Sequence, residues 1–203
     1  MKRIGIYAGT FDPVHDGHVE LARQASNELE LKTIFFMVEK RPWGNKIPDA
    51  TASQRFDMLK FAIANMSQFD LLALNDDRFS IDRTLPKIVE MFQGDELYFI
   101  MGADTFLAMN YESWPGLKQL FQHYIVVSER RMITEAVITQ HAISLGIAVA
   151  VLPNTMLHHA SSDVRARIHD KALWLPAPVA NYIEENDLYS NNSYSADVSA
   201  SEK

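Results

Sequence analysis

The chain of 203 residues contains no cysteine. That excludes disulfides and thiolate metal sites and fits a reducing compartment. It has no uninterrupted apolar run of about 18 residues, so no membrane span is expected. The N-terminus runs straight into a strand-like segment, which leaves no room for a signal peptide. Basic blocks are also missing, with 19 Lys and Arg against 26 Asp and Glu and a net charge of −7. A nucleic-acid partner is therefore not expected, and any anionic ligand must be held by a local cluster of donors. What remains is a chain with 47% apolar residues, enough for one core and one cytoplasmic domain. Its oligomeric state is left open, a homo-oligomer included.

The most informative stretch is Ala8-Gly9-Thr10-Phe11-Asp12-Pro13-Val14-His15-Asp16-Gly17-His18, directly after the apolar run Ile4-Gly5-Ile6-Tyr7. A short buried strand leads into a turn, then into a helix-like segment from Val19 to Leu29. Two imidazoles and several backbone N–H groups thus collect at a strand's carboxyl end and a helix's amino end. Open α/β sheets bind ligands there, and a helix N-terminus favours phosphate. Gly9 and Gly17 permit close approach of a ligand to the backbone. Taken alone, His-x-Gly-His is also what a surface turn with two solvated histidines looks like; the flanking strand and helix favour the ligand site.

Apolar runs alternate with helix-period segments along the whole chain, the pattern of a parallel sheet covered on both faces. Strands are expected at Arg3–Tyr7, Thr33–Val38, Leu71–Leu74, Leu97–Met101, Tyr124–Val127 and Ala148–Leu152. Helices are expected at Gly17–Leu29, Ala52–Ala64, Thr84–Phe92, Gly116–Phe121, Glu135–Leu145, Ser162–Lys171 and Val179–Asn186, with a turn near Ala103–Met109. Thr51 and Gln54 form a capping-box pattern, and Gly146 is placed to cap the helix ending at Leu145. This predicts an α/β, Rossmann-like doubly wound parallel sheet in a single domain over residues 1–189. Residues 190–203, rich in Ser, Asn and Asp, are expected to form a polar, disordered tail.

Three further blocks carry candidate chemistry. Glu39-Lys40-Arg41-Pro42-Trp43-Gly44-Asn45-Lys46 follows the second strand with three cations and an aromatic ring, which suits phosphate and equally suits a solvated loop. Gly102-Ala103-Asp104 ends the fourth strand, with Trp114 ten residues on. A carboxylate there can accept ribose hydroxyls and an indole can stack on a flat heterocycle, although a tryptophan is as readily a core residue. Ser161 and Ser162 precede a helix and read as its cap, with Arg165 one turn in. Polyphosphate would find N–H groups, hydroxyls and a guanidinium together there; an ordinary capped helix would look the same.

Residues 8–18 resemble the signature of the nucleotidyltransferase superfamily, Gly-Gly-Thr/Ser-Phe-Asp-Pro followed by His/Thr-x-Gly-His, with Ala8 replacing the first Gly. The His at position 15 looks like the nicotinate-nucleotide adenylyltransferase branch. The resemblance extends over residues 3 to 189 in the expected order. Lys46 and Arg55 match a family Lys and Arg, with Asn45 replacing a His. Ser161, Ser162 and Arg165 match Ile-Ser-Ser-Thr-x-Ile-Arg, with His159 where Ile is usual and Ala160 replacing the first Ser. Thr84 and Leu85 match a family Thr-Leu pair, while the Tyr-Thr pair associated with the pyridine ring becomes Ser80-Ile81. The ending Tyr182-Ile183-Glu184-Glu185-Asn186-Asp187-Leu188-Tyr189 is also similar to that branch.

The resemblance implies adenylyl transfer from ATP to nicotinate mononucleotide, giving deamido-NAD and pyrophosphate, with Mg²⁺ bound together with ATP and no protein metal site. It implies catalytic roles for His15, His18, Lys46 and Arg165. ATP and phosphate contacts fall on Gly9, Thr10, Phe11, Gly17, Gly102, Asp104, Ser161 and Ser162. Mononucleotide contacts fall on Arg55, Thr84 and Trp114. The alternatives are an adenylyltransferase for nicotinamide mononucleotide or phosphopantetheine, and a non-catalytic nucleotide-binding protein, to which the departures at Ala8, Asn45, Ser80, Ile81 and Ala160 point. A metal-dependent hydrolase using His15, His18, His158 and His159 lacks a carboxylate at ligand spacing in the first loop.

Overall fold

A computed structural model describes residues 1–43, 47–130, 132–153, 160–168 and 174–190. Six strands form one sheet: β1 (Arg3–Gly9), β2 (Thr33–Val38), β3 (Phe69–Leu71), β4 (Glu96–Gly102), β5 (Tyr124–Ser128) and β6 (Ala150–Leu152). The order across the sheet is β3-β2-β1-β4-β5-β6, and every neighbouring pair is parallel. The chain starts in the middle, builds one half outward, then returns to build the other. This is the doubly wound order expected from the alternation, and it leaves a crevice between β1 and β4 at their carboxyl ends, where the winding reverses.

The helices are α1 (Asp16–Glu28), α2 (Ala52–Ile63), α3 (Thr84–Met91), α4 (Ala103–Leu107), α5 (Leu117–Leu120), α6 (Glu135–Leu145), α7 (Ser161–Ala166) and α8 (Ala177–Glu185). They split the core into two layers. Tyr7, Phe36, Ile100 and Val126 pack with Val19, Ala22, Met58, Leu59, Val179 and Ile183 on one face of the sheet. Ile4, Ile6, Met37, Phe99 and Val127 pack with Leu85, Ile88, Phe106, Leu120 and Ile138 on the other. Burial on both faces explains why Ile4 to Tyr7 is continuously buried rather than alternating.

Local signals act as expected at two helix ends. The Thr51 hydroxyl accepts from the Gln54 N–H at 3.3 Å while the Gln54 side chain accepts from the Thr51 N–H at 2.9 Å. Gly146 ends α6 with φ of +71°, a conformation that disfavours a Cβ. Three expectations shift. The third strand lies at Phe69–Leu71 and not Leu71–Leu74, because it is an edge strand anchored by Phe69, which pairs with Ile34 and packs 5.5 Å from Phe36, with Asp70 exposed between. The Leu run continues past the strand rather than forming it. The helix expected at Ser162–Lys171 begins at Ser161 and ends at Ala166, and 169–171 lie outside the described residues. The serines are its first residues, not its cap. The capping is reversed, with the Asp163 carboxylate accepting from the Ala160 N–H at 3.2 Å. Among the described residues, no helix is long and apolar enough to cross a membrane.

Candidate active site

The carboxyl ends of β1 and β4 open into a cavity of about 770 Å³. Of the residues named from the sequence, Gly9, Thr10, Phe11, His15, Gly17, His18, Gly102, Asp104, Trp114, Ser161, Ser162 and Arg165 line it. Lys46, together with Asn45, His158, His159 and most of the expected tail, lies outside the described residues.

The first loop is shaped by aromatic packing. Phe11 takes a left-handed backbone, φ +51°, and its side chain is only 2% exposed. Its ring meets Tyr7 at 5.4 Å, Phe36 at 5.8 Å and His18 at 5.1 Å, all near edge-to-face. Such burial explains how the loop holds a φ that costs a β-carbon residue energy, and it leaves Phe11 mainly its backbone to offer a ligand. A Cβ on Gly9 would stand 3.0 Å from the Phe11 ring, so the tight return needs glycine.

His15 and His18 stack at 3.7 Å at the start of α1. The His15 backbone N–H donates to His18 Nδ1 at 3.2 Å. With that nitrogen accepting, the ring proton of neutral His18 sits on Nε2. Burial, helped by the Arg130 charge, lowers the His18 pKa to about 3, so at pH 7 it is a neutral donor of fixed tautomer.

Arg165 reaches from α7 to the same loop. Its Nη1 donates to the Asp12 carbonyl at 2.7 Å and lies 3.7 Å from the Asp12 carboxylate, and its Nε is 2.6 Å from the Asp49 carboxylate. The Ser161 hydroxyl donates to the Pro13 carbonyl at 3.1 Å, joining α7 to the first loop across 148 positions of sequence. Arg130, which follows β5, pairs with Asp104 at 2.5 Å on the cavity wall. Its side chain carries a charge near His18 that the sequence did not single out; its place after a strand's carboxyl end was the available signal.

Two residues assigned to the mononucleotide do not reach the cavity. Arg55 is 1% exposed. Its guanidinium donates to the carbonyls of Ala50, Thr10, Glu39 and Lys40. Each guanidinium nitrogen donates to backbone, so Arg55 braces the first two loops and does not line the cavity. Thr84 is fully buried at the start of α3, its hydroxyl accepting from the Ser80 N–H and donating to the Arg78 carbonyl, each at 3.1 Å. Its matched position reflects turn geometry. Ser80 and Ile81 are buried as well and are not among the residues lining the cavity.

Two indoles line the cavity as well. Trp114 packs against Trp43 with centroids 5.2 Å apart, and the Arg78 guanidinium lies 4.3 Å over the Trp43 ring. Trp43 lines the cavity beside Phe79, Met109 and Glu39. Burial raises the Glu39 pKa, opposed by the Phe79 N–H that donates to it at 3.2 Å and by the Arg78 and Arg55 charges. Trp43 was legible as a loop aromatic, but its partner in the stack was not.

The Cytidylyltransferase-like family profile matches residues 6–167. A Clostridium botulinum (strain Eklund 17B / Type B) protein named "Probable nicotinate-nucleotide adenylyltransferase" is 32% identical over 201 residues, covering 93% of this chain and 98% of its own. The chain belongs to the cytidylyltransferase-like family, in its nicotinate-nucleotide adenylyltransferase branch. A Thermus thermophilus protein of the same curated name is also 32% identical, over 92% of this chain and 99% of its own. Among solved structures, the Plasmodium falciparum nicotinic acid mononucleotide adenylyltransferase complexed with NaAD superposes with a TM-score of 0.77. It is 20% identical and covers 95% of this chain and 99% of its own, a likeness of fold. The family placement agrees with the His15-x-Gly17-His18 loop, and the fold likeness with the doubly wound sheet around it.

Proposed function

We propose that the protein transfers the adenylyl group of ATP to nicotinate mononucleotide, releasing pyrophosphate and forming deamido-NAD. The observation that carries this reading is the meeting of His18, Arg165 and the α1 N-terminus on one wall of a cavity whose other end is faced with indoles. The names of the relatives point to the same reaction.

The mononucleotide phosphate is already an anion at pH 7 and needs no general base. One of its oxygens forms a bond to the ATP α-phosphorus as the bond to the β-phosphate's bridging oxygen breaks, and pyrophosphate leaves with that electron pair. Catalysis then consists of alignment and charge stabilisation. His18 Nε2–H donates to the α-phosphoryl oxygens, where charge accumulates, and the first turn of α1 adds its N–H groups. Arg165 faces the departing pyrophosphate. Lys46 is assigned the same role from its sequence match. Magnesium bound with ATP would be held by phosphate oxygens and water and would neutralise charge on the phosphates, leaving alignment to His18 and Arg165. A cytoplasmic location goes with this reading.

One observation favours a second acceptor. Glu39 is a buried carboxylate among the cavity residues around the indoles, and a carboxylate accepts from the NH₂ of nicotinamide but repels a nicotinate carboxylate when ionised. Specificity constants for nicotinate mononucleotide, nicotinamide mononucleotide and phosphopantetheine at fixed ATP decide between them. Nicotinate mononucleotide is expected to lead. Preference for the amide would overturn the acid assignment and keep adenylyl transfer. No pyrophosphate from any of the three would overturn catalysis.

A further inference from the structure

Among the residues that line the cavity is a nearly buried carboxylate, Asp12, to which the proposed reaction gives no role. Asp12 is 4% exposed. Its Oδ2 accepts from the Asp49 N–H at 2.9 Å, and its Oδ1 accepts from the Ala50 N–H at 3.1 Å and from the Tyr189 hydroxyl at 2.8 Å. Tyr189 is itself buried, holds a left-handed φ of +64°, and comes 177 residues later in the chain. Burial and the neighbouring Asp12 raise its pKa, so the phenol keeps its proton and remains a donor.

The geometry sets up a competition. Arg165 stands 3.7 Å from the same carboxylate, outside hydrogen-bond range, while its firm contacts are the Asp12 carbonyl and Asp49. A buried carboxylate short of donors draws in the nearest cation. With the Tyr189 hydroxyl in place, Asp12 is supplied and Arg165 stays on the cavity wall. Without it, the guanidinium is the available replacement and turns inward.

We infer that Tyr189 is a positioning residue for adenylyl transfer: its hydroxyl satisfies Asp12 and so keeps Arg165 on the cavity wall, anchored at the Asp12 carbonyl and Asp49, where it meets the departing pyrophosphate. This rests on the proposed reaction only for the identity of the anion.

The test is Tyr189→Phe in the full chain, with Tyr182→Phe as control, since Tyr182 carries a hydroxyl 3.4 Å from Asp57 on the helix just before. Titration calorimetry with inorganic pyrophosphate and steady-state kinetics are the readouts. One lost hydrogen bond to a charged group predicts pyrophosphate affinity and kcat each down about tenfold. KM for the mononucleotide should stay within about twofold and the melting temperature within about 6 °C. The control should match the parent. Unchanged pyrophosphate affinity, an unfolded Tyr189→Phe protein, or an equal loss in Tyr182→Phe would each overturn the inference. The pyrophosphate titration needs no acceptor, so weakened binding in a protein that turns over none of the mononucleotides would uphold the positioning role and reject the reaction.

Discussion

The two ends of the cavity are built differently. At the proposed phosphate end, the His18 ring, the Ser161 hydroxyl and the Arg165 guanidinium are held by hydrogen bonds to the backbone of His15, Pro13 and Asp12, within one loop and two helix starts. At the ring end, Trp43, Trp114 and Arg78 are held by stacking between three separate segments. Charge and donor geometry at the first end are set by these hydrogen bonds within the protein. At the second, the contact surface is fixed mainly by area and shape. Phosphoryl transfer needs fixed donors, whereas recognition of a flat ring tolerates exchange of one aromatic surface for another.

The largest expected effect therefore falls at the phosphate end. His18→Ala should lower kcat by about a hundredfold with the fold intact by circular dichroism, the cost of one transition-state donor. A loss under about threefold would remove His18 from the mechanism. Because His18 titrates near 3 in the protein and an ordinary imidazole near 6.5, the free enzyme's kcat/KM should show no His18 step as pH falls through 6.5. The sign for stability is opposite to that of a paired histidine. The unfolded chain takes up the proton first, so His18 makes the protein less stable as pH falls from 6.5 towards 3. In His18→Gln, the fall of melting temperature over that range should be shallower.

Arg55→Ala should be felt as stability before activity. It strands four backbone carbonyls, two of them in buried bonds, and should cost about 3 kcal/mol by urea unfolding. A variant that keeps its stability and loses only mononucleotide affinity would return Arg55 to the ligand.

At the ring end the effect should be smaller and of another kind. Trp43→Ala should raise the mononucleotide KM about fivefold, leaving kcat nearly unchanged, as expected for one lost stacking surface. A loss in kcat matching that of His18→Ala would dissolve the contrast between the ends.

The same contrast explains what the sequence disclosed. The doubly wound class and the first loop follow from local signals, since Ile4 to Tyr7, Gly9 and His15 to His18 sit close together in the chain and act through backbone geometry. Arg55 and Thr84 matched family positions yet are buried and bonded to backbone away from the cavity lining, because a position match carries no information on where a side chain spends its hydrogen bonds. The Trp43–Trp114 stack and the Tyr189–Asp12 bond join residues 71 and 177 positions apart, and no local pattern announces such a meeting. The third strand was displaced for a related reason: Phe69 is selected by its partner Phe36 and not by the richer apolar run after it.

The smallest expected effect concerns the last segment. Ending the chain after Tyr189 should leave kcat and melting temperature unchanged, and ending it after Leu188 should reproduce Tyr189→Phe. A clear drop in the first case would show that later residues take part.

The Tyr189–Asp12 bond also sets a clock on biosynthesis. Translation delivers Asp12 among the first residues and Tyr189 long after all six strands, so a nascent chain passes through a stage with sheet, loop and histidines complete but Asp12 not yet supplied. Ribosome-bound intermediates and products of early stop codons would carry the recognisable loop while lacking a properly set Arg165. Turnover in a lysate would then count finished molecules, even where an antibody to the N-terminal loop counts every molecule begun.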